Sequence, residues 1–274
     1  MNANMPSVLI VILNYGTYDL TLKMIQEIKN KLEYDNYSIL VIDNCSPNES
    51  AKILGRESKK LGYHFIANCE NKGYAAGNNI GIHYAISQMY KYSWIINNDL
   101  VLTDHNILIK LVKVAEENES VACVGPKITD LNGNIVAPYI ERPTRWSQTL
   151  GIGIAKKKRM AHCLTSGIVY RVYGCCMLVK NSTIQKADFM DERTFLYCEE
   201  DILAERLLKI NAYSYYCAEA DVIHLESMTV NKWNKGKKQL VIKSMDLYLK
   251  EYLHYGIVSR FLCETVRKII MMIR

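Results

Sequence analysis

The sequence has no G-x-G-x-x-G after its first apolar run, no C-x-x-C pair, and no apolar stretch near the roughly 18 residues a membrane span needs. The first absence argues against a dinucleotide-dependent oxidoreductase, because Asn14-Tyr15-Gly16-Thr17 stands where the glycine fingerprint belongs. The second, with an odd count of nine cysteines, predicts free thiols in a reducing cytoplasm rather than a disulfide framework. The opening MNANMPSVLIVILNY lacks a positively charged leader and a small-residue cleavage site, so Val8–Leu13 reads as a buried strand, not a signal core. Phe (4) and Pro (5) are scarce beside 19 Tyr, and no repeat or low-complexity segment is present. The formal net charge of +6 suits a phosphate-bearing ligand or an anionic membrane surface and is too small to indicate nucleic acid. At 274 residues and 49% hydrophobic content, the chain can bury one large core or two small ones.

The first half alternates strand and helix patterns. Val8–Leu13 is continuous and β-branched, as in a strand covered on both faces, and Leu20, Met24, Ile25, Ile28 and Leu32 then recur at helical spacing. Ile39–Ile42, Tyr63–Ala67 and Trp94–Ile96 predict three more strands, with a helix over 77–89. Ser46-Pro47-Asn48-Glu49 has the spacing of a capping box with Pro at the first helical position. Alternation of this kind implies right-handed crossovers, a mostly parallel sheet, and a ligand beyond the carboxyl ends of the strands. That rule points to Asn14-Tyr15, Asp43-Asn44, Asn68 to Asn71 and Asn97-Asn98-Asp99. The second half is less regular. Val121–Gly125, an Asn132-Gly133 turn, Val169–Val179 and Tyr213–Cys217 predict strands, and Glu199–Ile210 predicts a helix. Residues 140–160, with a basic run at 156–159, read as an exposed insertion; from Gln239 the pattern is helical. No linker divides the chain.

Four groups of residues carry chemistry. Asp99 emerges at a strand end, where one carboxylate can hold a divalent cation that keeps open positions for phosphate oxygens. Residues 70–81, ENKGYAAGNNIG, place glycines and amide side chains at a helix start, suited to close backbone approach. Glu199, Glu200 and Asp201 open a helix; acids favour any first turn, and one of them can also serve as a general base. His224 ends an apolar stretch and becomes a plausible metal ligand when paired with a distant Asp.

The order of these segments resembles the family 2 glycosyltransferases, specifically their rhamnosyltransferase-like branch, from about Val8 to Ser227. VLIVILNYG is similar to the family's first strand and donor turn, and ILVIDNCS to the strand whose Asp, here Asp43, recognises the nucleotide base. ENKGYAAGNNIG is typical of the branch, and VYGCCMLVK resembles the strand before the acceptor site. Asn97-Asn98-Asp99 stands at the D-x-D-like element, with Asn97 replacing its first acid. DERTFLYCEEDILAER resembles the segment of the catalytic acid pair, where aligning Tyr197 and Arg206 puts Glu200 at the base position and Ile202 at a further Asp. VIHLES matches the late histidine.

The resemblance implies a GT-A fold, with a donor half over about 1–125 and an acceptor half over about 126–255. Asn14, Tyr15, Asp43, Asn71, Gly73, Asn78, Asn97, Asn98 and Asp99 would surround a nucleotide-sugar donor. Asp99 and His224 would hold Mg²⁺ or Mn²⁺, and Glu200, with Glu199 and Asp201 as neighbours, would deprotonate a saccharide or lipid-linked acceptor in an inverting reaction. The branch suggests dTDP-rhamnose, with UDP-galactofuranose, UDP-glucose and UDP-N-acetylglucosamine as alternatives. A non-catalytic scaffold need keep none of Asp99, the acid cluster and His224, so their joint presence favours an enzyme.

Residues 256–274 predict a basic amphipathic helix. Ile257, Phe261, Leu262, Val266, Ile269, Ile270 and Ile273 form one face; Arg260, Glu264, Arg267 and Lys268 form the other. Such a helix lies on an anionic membrane at the inner face of the cell or packs on the protein's own core or a second subunit, as in a homodimer.

Overall fold

The computed structural model describes residues 5–136, 138–150, 165–225 and 235–273. The basic run at 156–159 and Lys232, a lysine upstream of the last helix that adds to the positive charge of that end, lie outside them. The first half runs β1 (Val8–Asn14), α1 (Tyr18–Lys31), β2 (Tyr37–Asp43), α2 (Ser50–Leu61), β3 (His64–Ala67), α3 (Tyr74–Ser87), β4 (Tyr92–Ile96), β5 (Leu100–Val101) and α4 (Ile107–Glu117). After it come β6 (Val121–Thr129), β7 (Gly167–Val169), β8 (Cys176–Lys180), α5 (Asn181–Lys186), α6 (Glu199–Lys209) and β9 (Tyr213–His224). Two helices, α7 (Lys235–Leu247) and α8 (Ile257–Ile273), follow, with a π-helical turn at Tyr248–Tyr252 between them.

One sheet joins both halves in the order β3-β2-β1-β4-β8-β6-β9-β5, with β7 paired to β9. Its first part, β3-β2-β1-β4, is parallel throughout, as expected of a GT-A type α/β sheet. Beyond β4 the pairing is mixed: β8 is antiparallel to β4 and β6, while β6 and β9 are parallel.

The period-2 alternation of the strands divides the core. Val8, Ile10 and Ile12 of β1, with Ile39 and Val41 of β2, face one apolar cluster together with Met24, Ile25 and Ile28 of α1 and Leu108 and Leu111 of α4. Leu9, Val11, Leu40 and Ile42 face the other, with Ala75, Ile82 and Ala85 of α3 and Leu203 and Leu207 of α6. Here α3 lies close to the sheet: a Cβ on Gly77 would sit 2.6 Å from a methyl of Leu13, and one on Gly81 would collide with Val11. Those two glycines of the ENKGYAAGNNIG segment serve helix–sheet contact, not a ligand.

Three sequence expectations change. The helix after β2 starts at Ser50, because the Ser46 hydroxyl bonds the Asp43 carboxylate at 2.6 Å and does not cap a helix. Asn48 accepts from the Ser50 amide and hydroxyl instead. The run read as one strand over Val169–Val179 is two strands, β7 and β8, separated by a loop that enters the candidate site. Asn132-Gly133 forms its turn, but the returning chain makes only an isolated bridge between Thr129 and Ile135.

Candidate active site

Strand exits bring the predicted polar residues together, and many of them bond one another. Asn14, fully buried, donates to Asp43 Oδ1 at 2.7 Å and accepts from the Thr21 hydroxyl at 2.9 Å. The other Asp43 oxygen accepts the Ser46 amide at 2.9 Å. Asn98 donates to the Thr17 and Thr21 hydroxyls at 2.9 and 2.8 Å, so Asn14 and Asn98 hold the turn after β1 from opposite sides of Thr21. Tyr15, in that turn, is exposed. From β2 the Asn44 side chain donates to Asn71 Oδ1 at 2.9 Å, and the same oxygen accepts the Gly73 amide at 2.9 Å. Asn71 thereby positions Gly73. Asn78 is fully buried, donates to the Tyr74 carbonyl at 3.0 Å, and leaves Oδ1 without a partner among the described residues.

Gly73 marks the first of two close approaches. Its φ is +100°, and a Cβ there would sit 2.6 Å from Phe195 Cα. The adjacent Tyr74 amide donates to the Phe195 carbonyl at 2.9 Å. The glycine segment at the start of α3 is thus pressed directly against the bend at Phe195 that leads into the acidic helix α6.

The second approach is at Gly174, in the loop between β7 and β8. Its amide donates to Glu200 Oε1 at 2.9 Å, and its carbonyl accepts from the Tyr74 hydroxyl at 2.6 Å. The next carbonyl, that of Cys175, accepts the Asn97 amide at 2.8 Å. Burial first, then Cys176, Glu200 and Asp99, push the Cys175 thiol well above its ordinary pKa, since an added negative charge would face both carboxylates. Gly174-Cys175 therefore sits between the Asn97-Asn98-Asp99 segment and the acid cluster.

The three acids differ sharply in surroundings. Asp201 accepts from the buried Arg171 at 2.8 Å. Burial works against the Arg171 charge, but Asp201 and Glu200 more than offset it and hold its pKa well above the ordinary value. That guanidinium also lies 3.7 Å from the Tyr139 ring centroid. Glu199 is buried, and its Oε1 has no partner among the described residues. Burial, then the neighbouring Glu200 and Asp201, raise its pKa from 4.5 to about 8, which favours its protonated form. Glu200 remains, with one oxygen oriented by the Gly174 amide.

Asp99 and His224 meet across 125 residues. The short β5 pairs antiparallel with β9, setting Leu100 opposite His224, and His224 Nε2 lies 3.2 Å from Asp99 Oδ1. Two donor atoms at about 3 Å can share adjacent positions on one small divalent ion. Among the described residues no group of three or more His, Cys, Asp or Glu is placed to hold a metal. The pair fits an ion that takes its remaining ligands from substrate oxygens and water, as a diphosphate-bound cation does.

Sequence reasoning missed Arg171, Gly174 and Tyr74. A signal was present for the first two: an arginine and a glycine interrupt the apolar run IVYRVYGCCMLV.

A parallel β3-β2-β1-β4 sheet, polar strand exits and an acid-bearing helix facing them define a GT-A type fold. Two solved structures share it. One is GalNAc-T7 with UDP, GalNAc and Mn²⁺, at TM-score 0.70 and 13% identity, covering 96% of this chain and 52% of that one. The other is the mannosyltransferase PcManGT from Pyrobaculum calidifontis in complex with GDP-Man and Mn²⁺, at TM-score 0.63 and 11% identity, covering 97% and 74%. The model of glycosyl transferase family 2 matches residues 7–184, and the chain belongs to that family. It is also similar to the low-salt glycan biosynthesis hexosyltransferase Agl10 of Haloferax volcanii, 25% identical over 219 residues. That match spans 78% of this chain and 66% of the relative.

Proposed function

We propose that the chain is an inverting, metal-dependent hexosyltransferase that moves a sugar from a nucleotide diphosphate donor to a hydroxyl of a saccharide or lipid-linked saccharide. The observation that carries this reading is the placement of the Asp99–His224 pair and the Glu200 carboxylate on either side of Gly174-Cys175. A cation site and a proton acceptor flanking one backbone segment is what a single displacement at an anomeric carbon requires.

In this reading Tyr15, Asp43 and Asn71 hold the nucleoside, Gly73, Asn78, Asn97 and Asn98 shape the donor side, and residues 126–255 receive the acceptor. Asp99 and His224 hold Mg²⁺ or Mn²⁺; the Mn²⁺ and nucleotides named in the two similar structures support this choice. When bound, the cation neutralises charge on the departing diphosphate. Glu200 accepts the proton of the attacking hydroxyl, while the Gly174 amide fixes its orientation. Glu199, held neutral, and Asp201, paired with Arg171, are not available for that role. Attack from the face opposite the diphosphate inverts configuration.

The likeness of the ENKGYAAGNNIG segment to the rhamnosyltransferase-like branch supports dTDP-rhamnose as donor. A bacterial surface polysaccharide, assembled at the cytoplasmic side, is the product we assign. The similar hexosyltransferase, named for glycan biosynthesis, agrees with that chemistry. The test is a panel of nucleotide sugars, dTDP-rhamnose and the three UDP-sugars first, with Mn²⁺ or Mg²⁺ and saccharide acceptors, scored by nucleoside diphosphate release. Release above that of Asp99→Ala identifies the donor; none from any donor overturns the reading.

A further inference from the structure

The last helix is oriented opposite to what self-packing demands. Its charged side turns toward the protein: Arg260 bonds Asp246 of α7 at 2.6 Å, and Arg260, Glu264 and Arg267 are all half-buried. Its apolar side faces outward. Ile257, Val258, Phe261, Leu262, Ile269 and Met272 are between 47% and 77% exposed, at the i, i+3, i+4 spacing of one helical face. Only Cys263 and Met271 of α8 are buried among its described side chains. Val266 and Ile270, read from sequence as part of the apolar face, are half-buried instead, and Val258 and Met272 take their place outside.

Charge is concentrated at the same end of the chain. Residues 235–274 hold nine Lys and Arg against three Asp and Glu, whereas residues 1–234 hold 25 of each. The whole formal excess of +6 therefore belongs to the last 40 residues. Between α7 and α8 lies an open groove of about 710 Å³. It is lined by Ile242, Met271 and Met272 together with Lys238, Lys243 and Lys268. Lys268 shares its charge with Glu264 at 2.6 Å, and Lys243 is exposed. Apolar side chains beside lysines match the cross-section of a lipid monolayer, with hydrocarbon within and phosphate at the boundary. A soluble partner with an apolar face would not call for this excess of positive charge.

We propose that the outer face of α8 and the lysines along the α7–α8 groove dock the protein on an anionic lipid bilayer, with α8 lying in the plane of the interface. Among the described residues no helix is long and apolar enough to cross a membrane. The docked element is coupled to the site. Met245, Tyr248, Leu249, Tyr252 and Cys263 form a small core with Ile202 of α6, the helix that carries Glu200. Tyr252 also donates to Asp191 at 2.6 Å and receives a hydrogen bond from Arg206 at 3.0 Å. Docking through α8 would bring the acceptor side of the protein to the lipid surface.

The test is co-sedimentation of the full chain with vesicles of phosphatidylcholine alone and of phosphatidylcholine with about one-third phosphatidylglycerol. The variants are Phe261→Glu combined with Ile269→Glu, and separately Lys238→Glu combined with Lys243→Glu. All four side chains lie outside the catalytic machinery, and both variants should melt as the parent does. The parent should bind the anionic vesicles and lose binding as salt rises. The apolar-face variant should bind at least tenfold more weakly, matching loss of two buried side chains. The lysine variant should lose about fivefold or more per lysine. The proposal is overturned by a parent that binds neither vesicle, by unchanged binding in both variants, or by a homodimer in sedimentation velocity that Phe261→Glu dissolves without any vesicle binding. None of these readouts depends on the donor or on turnover, so failure here leaves the proposed reaction standing and the reverse also holds.

Discussion

The Gly174 amide donates to Glu200 Oε1 at 2.9 Å, and a Cβ on Gly174 would lie 2.7 Å from that same oxygen and 3.1 Å from the Tyr74 hydroxyl. The loop and the carboxylate are therefore fitted to one another with no room for a methyl group. Gly174→Ala should displace Glu200 rather than unfold the chain, since the nearest atoms a Cβ would meet are side-chain ends. We expect kcat to fall by about tenfold or more, as a misplaced catalytic group does, with circular dichroism unchanged. Wild-type kcat in Gly174→Ala would remove the positioning role of this loop.

The acids of α6 should separate by readout. Glu200→Gln keeps shape and removes the proton acceptor, so kcat should fall by about 10²–10⁴ while the melting temperature and donor affinity hold. Asp201→Asn breaks a largely buried pair with Arg171 and should cost about 2–3 kcal/mol in a denaturant titration, somewhat below the usual cost of orphaning a fully buried charge. If Asp201→Asn is thermally silent and catalytically dead, the roles of the two acids are exchanged.

Metal removal tests the Asp99–His224 pair. Excess chelator should abolish turnover, and added Mn²⁺ or Mg²⁺ should restore it. Asp99→Ala should lose at least about a hundredfold in kcat, corresponding to a lost stabiliser worth roughly 3–4 kcal/mol. Undiminished turnover in chelator would eliminate the cation from the reaction.

Glu199 predicts a pH dependence of stability. Its pKa is raised from 4.5 to about 8 on folding, chiefly by burial and then by Glu200. A raised carboxyl favours the folded state fully below about 4.5, and that contribution is lost as pH rises through about 8. Wild-type stability should therefore fall by on the order of a few kcal/mol between pH 5 and pH 8. Glu199→Gln, neutral at every pH, should flatten that slope when unfolding is followed across the range. Parallel pH profiles for the two proteins would mean that Glu199 is ionised in the fold.

Much of the architecture was legible locally. The continuous apolar runs Val8–Leu13 and Ile39–Ile42, and the period of 3.6 through Met24, Ile25 and Ile28, report directly on which atoms leave water. Polar residues at the strand exits followed from the topology rule. The order of motifs along the chain located Asp99, the acid cluster and His224 without any contact being known. What local pattern could not decide was which polar group meets which. Asp99 reaches His224 only because the β5–β9 register sets Leu100 opposite that histidine. Arg171 and Gly174, hidden in an apolar run, gain meaning only when the loop they occupy packs against α6. The same holds for α8: its amphipathic pattern is written in the sequence, but rotation about its axis is free until Arg260 finds Asp246. Periodicity is a property of neighbours in the chain, whereas close approach and helix rotation are set by contacts between separate elements, 14 residues apart for Arg260 and Asp246 and 125 for Asp99 and His224.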